Sequence, residues 1–214
     1  MIDDVGQDLQ AAREVLSLNL PLTFAILPHL PHSREIAREA REKGRELLLH
    51  LPMEPRRYPE KNPGPGSLLS GQGPEEVRER TRAALAAIPG ITGVNNHMGS
   101  RLTVREDVMK IILEEVKAKG LYFIDSYTTA ESVAYRVAKG LGLRVRKRTL
   151  FLDNEVDEDK IGAQIARLIV EAKRSGVAIG IAHPYPETIA ALRNAVSRIR
   201  ESGVKIVPAG EVVR

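Results

Sequence analysis

Residues 46–54, ELLLHLPME, decide how this chain is read. Glu46 leads three leucines into His50, and Pro52 and Glu54 then open a loop. A short apolar run with a polar group at its end fits a strand buried on both faces, the kind found in parallel sheets. The design recurs along the chain. Asp3-Asp4 follow an apolar start (MIDDVG), Asn95-Asn96-His97 close GVNNH, Asp125 closes YFID, Asp153 closes LFLD, and His183 closes AIGIAH. Helical patterns separate these runs, so strand and helix alternate about seven times, which implies right-handed crossovers and a mostly parallel sheet. Seven or eight short strands in 214 residues predict one α/β domain over residues 1–214. A compact β/α barrel suits that count, with an open doubly wound sheet as the alternative. Either fold gathers its strand ends on one face, so residues as distant as Asp3 and His183 can share a pocket.

The expected strands end near Val5 and span 22–27, 46–50, 93–96, 122–125, 144–153, 177–182 and 205–208. The expected helices span 8–16, 33–43 (with Ser33 as N-cap), 74–88, 104–119, 130–139, 158–175 and 186–201. Residues 52–74 are rich in Pro and Gly without periodicity and predict a functional loop or lid.

Composition narrows the chemistry. Apolar residues make up 43% of the chain, and no run reaches a membrane span. No signal peptide is visible, and Met1 stands almost on the first strand. Cysteine is absent, so a metal would need His, Asp or Glu. The net charge is +4 and the pI about 9.4. Most bases alternate with acids on helices, as on solvated faces. The run Arg144-Val145-Arg146-Lys147-Arg148 alternates like an edge strand, where charge discourages aggregation. Without interleaved aromatics it argues against nucleic acid, while an anionic polymer such as cell-wall material stays compatible.

Adjacent carboxylates Asp3 and Asp4 normally point to opposite faces of a strand, but a twist before Val5-Gly6 would let both border the pocket. One could bind metal while the other takes a proton. His50 and Glu54 could converge if Pro52 turns the loop, and His97 offers a further imidazole. Gly99 would allow close backbone approach by a ligand. His183 suits a general acid near neutral pH. Asp125 or Asp153 could orient a catalytic group or hold a sugar hydroxyl. His29 and His32 are not read as ligands. Phosphate-loop, zincin and serine-elbow motifs are absent.

Taken in order, MIDDVG, LLLHLPMEP with PGPGSLL, GVNNHMGS, FIDSYTT, FLDN and IAHPYPET resemble the divergent polysaccharide deacetylase family, a branch of the NodB-like carbohydrate deacetylases. The resemblance covers nearly the whole chain and implies a distorted (β/α)7 barrel. It implies Asp3 as catalytic base, Asp4 and His50 as metal ligands, and His183 as the acid. Glu54 stands where the family pattern has a second histidine, which makes His97 the first candidate for the third ligand and Glu54 the second. The arginine of the fourth-strand motif has no counterpart in Asn95-Asn96-His97-Met98-Gly99. Asn95, Asn96 and Asp125 are expected to orient substrate. The implied activity is hydrolysis of N- or O-acetyl groups on a carbohydrate or cell-wall glycan, with a divalent ion such as zinc and a periplasmic or exported setting. Two other readings stand beside it. One is a non-catalytic glycan- or envelope-binding module, and the other a glycosidase pairing Asp3 or Asp4 with Asp125.

Overall fold

The computed structural model describes residues 1–214. Six strands form one parallel sheet in sequence order: β1 (Ile2–Val5), β2 (Thr23–Ile26), β3 (Glu46–Met53), β4 (Gly93–Met98), β5 (Tyr122–Asp125) and β6 (Val145–Lys147). β7 (Leu150–Phe151) pairs in parallel with β8 (Gly180–Ile181). β6 and β7 are two halves of one bent run, the first paired with β5 and the second with β8. The ring closes beyond β8, where the Asp3 N–H donates to the Ala182 carbonyl at 2.8 Å and the Ala182 N–H to the Met1 carbonyl at 3.1 Å. The result is a distorted β/α barrel with seven strand positions.

Seven helices follow the strands: α1 (Leu9–Ser17), α2 (Ser33–Glu42), α3 (Pro74–Ala87), α4 (Glu106–Ala118), α5 (Ala134–Gly140), α6 (Glu158–Ser175) and α7 (Pro186–Glu201). Their ends follow local chemistry. Asp8 and Asp157 accept N-cap hydrogen bonds from Ala11 and Lys160, and Pro74 and Pro186 occupy first helical positions. No helix is long and apolar enough to cross a membrane.

The pleat sorts each strand between two cores. On β3, Leu47, Leu49 and Leu51 face the helices, while Leu48 joins Ala25, Tyr122, Ile124, Ile179 and Ile181 inside the barrel. His50 shares the inward phase of Leu48, which puts it at the carboxyl end of the barrel interior. Ala209 and Val213 complete the interior cluster from the C-terminal segment.

Several expectations need correction. β3 runs through Pro52 to Met53 and β4 through Met98, instead of ending at His50 and Asn96. Pro52 is tolerated because β2 ends opposite Leu49, so no β2 acceptor awaits its missing N–H, and on that side its carbonyl accepts from the Leu68 N–H at 2.9 Å. Residues 205–208 form no strand. Direct closure of β8 onto β1 leaves no slot, so this segment runs to the barrel's amino end, where the Ala209 N–H donates to Thr23 Oγ1 at 2.8 Å. The run 144–153 bends around Arg148-Thr149 instead of pairing along its length. α5 starts at Ala134, not 130, because Asp125 ties down residues 127–135. Ser33 does not cap α2; its hydroxyl donates to the Leu27 carbonyl.

Candidate active site

The site begins with a backbone irregularity. Pairing of β1 with β2 slips between Ile2 and Val5, and Asp4 has φ +55°. A β-bulge breaks the strict alternation of side chains. It turns both Asp3 and Asp4 toward the barrel's carboxyl end, the twist anticipated from their adjacency. Left-handed backbone at a non-glycine residue is costly and concentrates at functional positions.

Asp4 Oδ1 lies 3.1 Å from His50 Nε2 and 2.7 Å from His97 Nδ1, and the two ring nitrogens are 3.2 Å apart. These three donors form a candidate metal site. A tetrahedral ion with bonds of about 2.0–2.1 Å requires ligand atoms about 3.3 Å apart, close to this triangle. Asp4 Oδ1 is buried and has no aligned hydrogen-bond donor despite its close neighbours. Converging lone pairs aimed at one shared point produce that arrangement. His50 Nδ1 faces Asn95 Oδ1 at 2.9 Å, so Nδ1–H donates outward and Nε2 keeps its lone pair for the site. The residues present therefore fit a divalent ion.

Asp3 lies beside this cluster, 2% exposed, with Oδ2 accepting from Asn95 Nδ2 at 2.9 Å and Oδ1 unpartnered. Burial raises its pKa, with His50 acting in the opposite sense. Burial also pushes Asp4 upward, but its contacts to His50 and His97 outweigh this and hold it well below the carboxylate range. The two neighbours are thus driven apart, Asp3 toward accepting a proton and Asp4 toward permanent charge.

His183 faces them with Nε2 3.8 Å from Asp4 Oδ2. Its Nδ1 meets Asp153 Oδ1 at 3.0 Å, and Asp153 Oδ2 accepts from the His183 N–H and the Thr188 hydroxyl. Burial lowers the His183 pKa, but the hydrogen bond to Asp153 and the charges of Asp153, Asp4 and Asp3 together outweigh it and leave a raised value. Asp153, one of two candidates for orienting a catalytic group, is the one that touches His183.

Other expectations fare differently. Glu54 lies outside the metal cluster, with Oε2 accepting from the Ser70 N–H and Oε1 3.4 Å from Arg101. The extended β3 carries it past the donors, where it anchors the 54–73 loop. Asn95 and Asn96 are fully buried and bonded within the protein. Asn95 bridges His50, Asp3 and Ser126, and Asn96 ties the Ser126 N–H to the Met98 carbonyl. Asp125 is also fully buried, with Oδ1 held by the Tyr127 N–H and Oδ2 by Ser132 and Tyr135. None of the three is open to substrate, and a glycosidase pair using Asp125 is excluded. Gly99, at φ +87°, serves packing: an added Cβ would lie 3.0 Å from Met53 Cβ. His29 is exposed, and His32 lies 3.7 Å from Glu35. Arg148 and Phe151 beside His183 were not singled out individually. The alternating basic run was their one visible signal.

An apolar cavity of about 490 Å³ lies elsewhere, between α6, α7 and the C-terminal segment. Lys173 and Lys205 line it, but no acid or histidine does, so it offers no comparable chemistry.

The chain as a whole has relatives. Residues 1–213 match the divergent polysaccharide deacetylases, and the chain belongs to that family. It is 37% identical over 198 residues to the uncharacterized protein YibQ of Escherichia coli K12, covering 92% of this chain and 61% of YibQ, so it spans less than two thirds of that relative. The crystal structure of the uncharacterized protein ATU2773 from Agrobacterium tumefaciens C58 superposes with a TM-score of 0.94 at 28% identity, covering 99% of this chain and 87% of that one. BA3943 of Bacillus anthracis, described as a CE4 family pseudoenzyme, gives 0.58 at 14% identity, covering 96% and 61%, and shares the fold.

Proposed function

We propose that this protein is a metal-dependent deacetylase that removes N- or O-acetyl groups from a carbohydrate of the cell envelope. The observation that carries this reading is the triangle of Asp4 Oδ1, His50 Nε2 and His97 Nδ1, with Asp3 on one side and His183 on the other. A divalent ion, zinc by its preference for mixed imidazole and carboxylate donors, would polarise the acetyl carbonyl and acidify water there.

The chain's own groups supply the rest. Asp3 takes a proton from the attacking water as the new C–O bond forms. Its raised pKa and unpartnered Oδ1 suit that step. His183 gives its Nε2 proton to the leaving nitrogen or oxygen as the old bond to the acetyl carbon breaks. The products are acetate and a free amine or hydroxyl. Asp153 accepts from Nδ1–H and favours the imidazolium, the form whose second proton, on Nε2, is the one donated. Asn95 fixes the His50 tautomer and orients Asp3.

Acetate release from acetylated oligosaccharides by zinc-loaded protein tests this reading. Asp3→Asn and His183→Gln should each lower turnover at least 100-fold. No release across chitin, peptidoglycan and xylan fragments would sink it. A second reading, a glycan-binding module without turnover, draws on Glu54 in place of a second histidine and on the missing fourth-strand arginine. Glycan binding that survives both substitutions, with no acetate release by the intact protein, would favour it.

A further inference from the structure

The chain has only eight aromatic residues, five Tyr and three Phe. Two of them, Phe151 and Tyr185, flank His183, and two more, Tyr127 and Tyr135, meet Lys147. Phe151 stacks on His183 with ring centroids 6.1 Å apart at 22°, and Tyr185 lies 5.7 Å from the same imidazole. Two cations are laid onto these rings. Arg148 Cζ is 3.8 Å from the Phe151 centroid, and Lys147 Nζ is 4.2 Å from that of Tyr127 and 5.1 Å from that of Tyr135. Tyr127 adopts φ +51°, which presents its carbonyl to Arg148 Nη2.

Neither cation has a carboxylate partner. Arg148 donates from Nε and Nη2 to the backbone carbonyls of Ser126 and Tyr127. The nearby Asp125 has both oxygens engaged by other donors. Many other arginines here do find carboxylates, such as Arg78 and Arg82 with Glu115, Arg13 with Glu39 and Arg136 with Glu106. Arg148 is partly buried, and desolvation lowers its pKa while the charges of Asp125 and Asp3 act in the opposite sense without forming an ion pair with it. A partly buried cation with no ion-paired carboxylate keeps part of its desolvation cost until an anion arrives. Cation–π contact holds both side chains in place while their charge stays unneutralised. Flat aromatic faces next to the proposed acid suit the C–H face of a pyranose ring.

We propose that Lys147 and Arg148, with Phe151 and Tyr185, form a subsite for an anionic sugar, one bearing a carboxylate or phosphate next to the residue presented to His183. This rests on the carbohydrate reading above and narrows its substrate class to acidic saccharides. The basic run of residues 144–148 thereby acquires a ligand.

The test is binding of three probes to the metal-free full-length protein at low salt: a partly acetylated oligohexuronate, its carboxyl-reduced neutral counterpart, and a phosphate-substituted neutral oligosaccharide of equal length. At least one acidic probe should bind tenfold or more tightly than the neutral one, and which one does so identifies the recognised anion. The preference should fall toward one in Lys147→Gln and Arg148→Gln, and at 1 M salt, where the screening length is about 3 Å. Lys147 makes no hydrogen bond that holds the loop, so its variant remains informative if Arg148→Gln misfolds. Equal binding of acidic and neutral probes, or a preference unchanged in Lys147→Gln, overturns the assignment. Preference without acetate release keeps this subsite and removes deacetylation; acetate release without preference does the reverse.

Discussion

Asn95 offers the most direct check on how the site is assembled. Its side chain is fully buried and makes three contacts: Oδ1 with His50 Nδ1 at 2.9 Å, and Nδ2 with Asp3 Oδ2 at 2.9 Å and Ser126 Oγ at 3.1 Å. Asn95→Leu keeps the volume and removes all three. His50 then loses the acceptor that fixes its tautomer, and Asp3 loses its one side-chain hydrogen-bond donor. Loss of such a supporting contact costs about 10–100-fold in metal affinity, equivalent to about 1.4–2.7 kcal/mol. Leaving buried polar groups unpaired costs about 1–3 kcal/mol each. Ser126 can rotate its hydroxyl, so a net destabilisation of about 3 kcal/mol is expected from the remaining two. Zinc affinity by competition with a chelating dye, and urea unfolding with and without metal, measure the two effects. Zinc binding within twofold of the wild type would refute the positioning role assigned to Asn95. A loss of stability with unchanged affinity would make it a purely structural residue.

Three further outcomes are expected. Asp153→Asn removes a charge that helps raise the His183 pKa against burial, so that pKa should fall in an NMR titration of metal-free protein. A raised folded-state value stabilises the fold fully below the unfolded pKa of about 6.5 and is lost as pH rises through the folded value. The stability gap between wild type and Asp153→Asn should therefore be widest in acid and narrow toward alkaline pH; a constant gap refutes the linkage. Glu115 is held below its ordinary pKa by Arg82, against a burial penalty, with help from Arg78, and it joins α3 to α4. Glu115→Gln should destabilise by about 1–3 kcal/mol at neutral pH. That difference should fade as pH drops from 4.5 through the lower folded value, measured by thermal melts. Glu54→Gln should leave zinc affinity within twofold while increasing proteolysis of the 54–73 loop, because Glu54 holds the Ser70 N–H and not the metal donors. A tenfold loss of zinc affinity would return Glu54 to the ligand set.

The barrel was legible because its strands are short continuous apolar runs, buried on both faces and separated by helical patterns. Tyr122–Asp125, Glu158–Ser175 and Pro186–Glu201 fall where the pattern places them. Its failures have a common cause. Whether 205–208 pairs as a strand depends on whether β8 meets β1, and that contact spans some 180 residues, from Asp3 to Ala182. Local pattern carries no information about it. Likewise, the bend at Arg148-Thr149 comes from one run serving two neighbours, β5 and β8, that a barrel of seven positions cannot align with a straight strand.

At the site, residue type revealed more than residue role. Asp4, His50 and His97 are brought together by three separate strands, and each stands at a carboxyl end, so topology alone predicts their meeting. Asn95, Asn96 and Asp125 stand at equivalent ends and carry equally polar groups, yet all three are buried and consumed by hydrogen bonds, Asn95 in the inward phase of His50, and Asn96 and Asp125 in the phase that faces the helices. What separates the two groups is the phase of each strand and the identity of its neighbours. Asn95 is inward-phased beside His50, so its amide supports the ligand shell instead of facing substrate. A buried polar side chain must find partners, and a site with two carboxylates and three imidazoles needs an amide that can donate to one and accept from the other. The asparagine that reads in sequence as a hand for sugar is, in three dimensions, the joint between the proposed base and the proposed metal. In the proposed subsite, recognition of the sugar passes to Lys147 and Arg148, which form no ion pair within the chain.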